Sequence, residues 1–95
     1  MSKSILQEDD ELCFLCGGWG ACEWHHIFGG ANRKLSEKYG LKVRVHHNCH
    51  NEPPEGVHFN KEVMDYLHQT GQIKAMEYYR WSIGDFRGIF GKNYI

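Results

Sequence analysis

Residues 23–51, EWHHIFGGANRKLSEKYGLKVRVHHNCHN, decide how the chain folds. Five of the seven histidines fall in this stretch, and a sixth, His58, follows in GVH. Residues 21–28 read as extended, with β-compatible Trp24, Ile27 and Phe28 bounded by glycines. Gly29-Gly30 breaks that run. Asn32 can cap a helix over residues 33–39, with Gly40 at its C-terminal end. Residues 41–45, LKVRV, alternate apolar and basic side chains with period two, the pattern of a half-buried strand. This strand can pair antiparallel with residues 23–27. HHNCHNEPPEG then starts as a helical turn and is stopped by Pro53-Pro54.

Outward from this centre the pattern is simpler. Residues 1–11 form a polar, acidic lead-in that reads as mobile or as a short helix. Asn60 is an N-cap candidate for a helix over residues 61–69, with Val63, Tyr66 and Leu67 as its buried stripe. Gly71 ends or bends that helix. A further helix runs over residues 72–81, with Ile73 and Met76 apolar. Ser82 and Asp85 have capping-box spacing for a last short helix carrying Phe86, Ile89 and Phe90. The C-terminal aromatics, Tyr78, Tyr79, Trp81, Phe86 and Phe90, read as core. The expectation is a single α+β domain over residues 1–95, with metal knuckles and a small hairpin in 12–59 and helices in 60–95.

Ninety-five residues bury a modest share of their surface, so such a core benefits from a staple. Hydrophobic residues at 41% and aromatics at 14% support a packed core and exclude global disorder. No apolar run approaches membrane-spanning length. MSKSILQEDDEL has no apolar segment after its lysine and does not read as a secretory signal. The expected setting is the cytosol, with reduced thiols, where Cys-x-x-Cys is a metal pair more often than a disulfide. Net charge is −1, unlike a non-specific nucleic-acid binder, but the sign is uneven. Glu8, Asp9, Asp10 and Glu11 form an acidic run. Arg33, Lys34, Lys38, Lys42 and Arg44 form a basic one beside the histidines, suited either to a phosphate backbone or to a plain solvated face.

Structural zinc sites present their ligands as two knuckles. Cys13 and Cys16, in CFLCGG, are the first; His46 and Cys49, in HHNC, share the two-residue gap and make the second. A Cys3His zinc site of this kind contributes on the order of 10 kcal/mol to folding. Cys22 competes for the fourth position and otherwise reads as a small core residue. His25, His26, His50 and His58 remain for a second, open site. Neighbours on a strand point to opposite faces, so His25 and His26 can flank a reaction centre in different roles. One can ligate a divalent ion (Zn, Ni, Mn, or Mg with waters), and the other can deprotonate a water.

CFLC, EWHHI and VRVHHNCH together resemble the zinc-finger subgroup of the HNH (ββα-metal) endonuclease family, over roughly residues 13–58. The tail, GVHFNKEVMDYL and DFRGIFGKNYI, is similar to small phage- or prophage-encoded HNH proteins. That resemblance implies a ββα-metal core and metal-dependent hydrolysis of phosphodiester bonds in DNA, RNA remaining open, inside a bacterial host cell. It implies His25, His50 and His58 as ligands of the catalytic ion and His26 as general base. Arg33, Lys34, Lys38, Lys42 and Arg44 would hold flanking phosphates. The family's middle Asn has no counterpart in register; Asn32 and Asn48 are nearby, and His47 is a candidate to orient the base. The rival from another class is a non-catalytic zinc module that binds nucleic acid or protein. A redox thiol protein built on Cys13 and Cys16 lacks the expected βαβ pattern.

Overall fold

In the computed structural model, which describes residues 3–7, 12–20, 22–47 and 60–95, strand β1 (Cys22–His26) pairs antiparallel with strand β2 (Lys42–His46). A 3-10 turn (Gly30–Asn32) and helix α1 (Arg33–Tyr39) lie between the strands. Helices α2 (Lys61–Tyr79) and α3 (Ile83–Phe90) follow. The chain is therefore a small α+β protein with a two-stranded antiparallel sheet. The segment HHNCHNEPPEG lies outside the described residues from Asn48 onward, with Cys49 and His50 in it, and so does His58.

The register places Cys22 opposite His46, Trp24 opposite Arg44 and His26 opposite Lys42. Cross-strand partners share a face, and successive residues alternate faces. Glu23 and His25 therefore lie on the other face, with Val45 and Val43. Val43, Val45, Leu41 and Ile27 are buried and join Phe28, Leu67, Ala75, Phe86 and Phe90 in one core. Phe28 sits at its centre. The rings of His68, Phe86, Phe90 and Tyr94 surround it at centroid distances of 4.8–5.4 Å.

The lead-in is neither free nor helical over residues 3–7. Ser4 Oγ donates to the Lys42 carbonyl (2.5 Å), the Arg44 N–H donates to Gln7 Oε1 (2.8 Å), and the Ile5 N–H donates to the Gly40 carbonyl (2.9 Å). Ile5 and Leu6 pack against the core. The outer edge of β2 offers unpaired backbone groups, and this strap takes them up.

The helices also differ from the expected pattern. α2 is one continuous helix through Gly71. A Cβ at Gly71 would come within 2.9 Å of Ile27 Cγ2, so the glycine lets the helix cross the end of β1. Its buried residues are Leu67, Gly71, Gln72 and Ala75, a stripe at four-residue spacing. Read as two helices, the phase is lost. In the single helix Tyr66 (55% exposed) and Ile73 (46% exposed) turn outward. Asn60 caps α2 as expected, accepting from the Val63 N–H, and Ser82 and Asp85 form the capping box of α3. Asn32 caps nothing; its side chain donates to the Phe90 carbonyl at 2.9 Å and ties the start of α1 to the end of α3. Phe86 and Phe90 are core as expected. Tyr79 and Trp81 pack against it, and Tyr78 is exposed.

A buried side chain, Ser36, ties α1 to the segment just beyond β1. Ser36 Oγ donates to the Phe28 carbonyl (2.8 Å) and accepts from the Phe28 N–H (3.0 Å). Removing that hydroxyl leaves buried backbone groups without their partner, at a cost of about 1–3 kcal/mol. Ser36→Ala is expected to lower stability by that amount in urea unfolding, with an unchanged fold by circular dichroism. An unaltered midpoint would show that this link contributes nothing.

Candidate functional site

The turn after Leu12 forms a metal-type knuckle. The Cys13 N–H donates to the Gly18 carbonyl (2.9 Å) and the Gly17 N–H to the Cys13 carbonyl (2.8 Å). Gly17 has φ +74°, a left-handed conformation that glycine adopts without steric cost. The reversal turns the Cys16 N–H toward Cys13 Sγ (3.5 Å). A bridge between Leu12 and Trp19 closes the base of the turn. The Phe14 N–H docks it on β2 through the Arg44 carbonyl (2.7 Å).

β2 delivers His46 to this knuckle. The His46 N–H lies 3.5 Å from Cys13 Sγ, and His46 Nδ1 lies 3.3 Å from Cys16 Sγ. The donor atoms of Cys13, Cys16 and His46 are all within 4.8 Å of one another. Tetrahedral zinc–thiolate geometry separates two sulfurs by about 3.8 Å, so the spacing fits a metal ion. His46 Nε2 faces the Trp19 carbonyl at 3.1 Å. With the ring proton there, Nδ1 keeps its lone pair for a metal, and the carbonyl fixes the ring's orientation. Burial pushes the Cys13 thiol up, but the N–H groups of Cys16, His46 and Leu15 and the Cys16 side chain outweigh it and lower it to about 7. Among the described residues, Cys13, Cys16 and His46 could thus hold a metal ion. Cys22, the rival ligand, sits opposite His46 in the sheet and is not in the group. Cys49, expected as the fourth ligand, lies outside the described residues.

The other histidines separate as adjacent strand residues should. His25 is 6% exposed, on the face it shares with Val43. His26 lies on the opposite face and lines a shallow open cleft of about 210 Å³ with Arg33, Lys34 and Glu37. Along α1 these three are three and four residues apart and so share a side. Glu37 joins two partners: Oε1 lies 3.3 Å from His26 Nε2, and Oε2 accepts from Lys42 Nζ at 2.5 Å. The Lys42 ammonium holds the Glu37 carboxyl below the ordinary range against partial desolvation, with a smaller contribution from His26. His47 turns instead to Glu23 Oε1 (3.3 Å), so the residue that meets the expected base is Glu37. His50 and His58 lie outside the described residues.

The basic run also divides. Arg33, Lys34 and Lys38 are exposed. Lys42 does not belong to that surface: it is 1% exposed, bonded to Glu37, with its ammonium 4.9 Å from the centre of the Trp24 ring. Strand alternation puts it beside Trp24 and His26, where α1 covers it. Arg44 is half-buried, its guanidinium 4.7 Å over the same ring. Sequence reasoning missed Glu37 altogether. Its signal was present, since a carboxylate four residues after Arg33 and three after Lys34 must share their side of a helix.

Cys16 is exposed, so replacing its sulfur alters little packing. Cys16→Ser is expected to lose bound metal and to melt where chelator-treated wild type melts. Wild-type metal content in that variant would remove Cys16 from the ligand set. Metal affinity should also fall as the pH drops through about 7, because protons then compete for Cys13.

No protein-family model matches this sequence, and neither a curated protein nor a solved structure matches it.

Proposed function

We propose that this chain is a metal-dependent endonuclease of the HNH type that hydrolyses phosphodiester bonds in DNA. The observation that supports this most directly is the cleft, where a histidine backed by a carboxylate lies beside two exposed cations, Arg33 and Lys34. Zinc held by Cys13, Cys16, His46 and Cys49 would fix the knuckle to β2. Two sulfurs and an imidazole nitrogen are a donor set that suits it.

In this reading Arg33 and Lys34 hold the phosphates on either side of the scissile one, without reading bases. His26 takes a proton from the water that attacks phosphorus. His25, His50 and His58 are assigned to a divalent ion, which when bound supplies positive charge to the leaving oxygen. Lys38, further along α1, extends the phosphate-holding side.

The test is incubation of the pure protein with plasmid and each of Mg, Mn, Ni and Zn, with and without chelator, beside His26→Ala. Wild type should cleave with at least one ion. His26→Ala should keep its fold and structural metal and lose roughly 10²–10⁴-fold in rate. Undiminished cleavage by His26→Ala would remove the base assignment. DNA binding without cleavage under every ion would leave a zinc-stapled binding module.

A further inference from the structure

We infer that Glu37 is a positioning residue for His26: anchored by the buried Lys42, its carboxylate holds the imidazole in the form protonated on Nε2, leaving the lone pair on Nδ1. The catalytic part of this rests on the function proposed above. The geometric part does not.

Four observations carry it. The strand register makes Lys42 the cross-strand partner of His26, so both side chains leave the sheet on one face. Glu37 reaches both from α1, one oxygen to each. Lys42 cannot move away easily, being buried, with the Trp24 ring beneath its ammonium. α1 is itself pinned through Ser36 to Phe28, two residues beyond His26. A carboxylate facing an ammonium stays ionised and can only accept hydrogen bonds. The group facing Glu37 Oε1 must then be a donor, and a neutral imidazole has only one N–H to give. His26 Nε2 therefore carries the proton, and Nδ1 is the basic atom.

Under the proposed hydrolysis the balance is simple. Water gives a proton to Nδ1 as its oxygen bonds to phosphorus. The bond from phosphorus to the leaving oxygen breaks, that oxygen is protonated from solvent, and His26 returns its proton to solvent. Glu37 touches no reacting atom; it sets which nitrogen is free and which way the ring faces.

The experiment reads tautomer and rate separately. Imidazole ¹⁵N shifts are followed with rising pH to their high-pH plateau, and His26 is assigned by the signals missing from His26→Ala. Wild type should show Nε2–H at His26. In Glu37→Gln the amide oxygen turns to the Lys42 ammonium, and the amide NH₂ donates to His26 Nε2. The tautomer should invert to Nδ1–H, with kcat down on the order of 10²-fold and KM for DNA nearly unchanged. Nδ1–H at His26 in wild type overturns the inference, and that measurement stands even if Glu37→Gln fails to fold. A folded Glu37→Gln that keeps the wild-type tautomer and kcat also overturns it. Wild type that cleaves nothing, with Nε2–H at His26 that inverts to Nδ1–H in Glu37→Gln, supports the hold of Glu37 and defeats the nuclease reading alone.

Discussion

The antiparallel register of β1 and β2 sets which face of the sheet His25, His26, Lys42 and His46 take. Opposing Cys22 to His46 and His26 to Lys42 puts an imidazole at each end of one face. One end meets the Cys13–Cys16 turn and the other meets α1. A slip of one residue would send His46 and Lys42 to the core face and bring Val43 and Val45 out. The register is therefore protected twice: by those valines in the core, and by the strap of residues 3–7 with the Phe14 N–H along the outer edge.

The electrostatics of the cleft follow from burial. A lysine ammonium inside a protein is costly unless paired. Lys42 has Glu37 on one side and the face of Trp24 on the other. That pairing keeps Glu37 charged, and a charged Glu37 constrains His26. Arg33 and Lys34 remain in solvent, and Glu37, with its side chain 35% exposed, lines the same cleft between them and the sheet's His26.

Local chemistry was readable from the sequence; distant partners were not. The knuckle glycines, the caps at Asn60 and Ser82, the period-two strand and the grouping of Cys13, Cys16 and His46 depend on spacings of a few residues, or on two ligand pairs of equal gap. Gly71 was misread because its reason lies at Ile27, more than forty positions away, where there is no room for a side chain. Lys42 was placed on the surface because alternation says which face a residue takes, but not that a helix covers that face. Glu37 and the strap at Ser4–Gln7 were missed for the same cause: their partners are brought to them by the fold. Asn32 has the right residue type for a cap, yet its amide serves the carbonyl of Phe90 instead.

The strap has a consequence for the molecule among its own copies. Residues 3–7 occupy the side of β2 that β1 does not, and the knuckle covers the next carbonyl along. Peeling that short segment away would bare a ribbon of donors and acceptors backed by Val43 and Val45. Such a ribbon recruits strands from other chains and seeds aggregation. Five residues at the start of the described chain thus act as the lid on the sheet's sticky side.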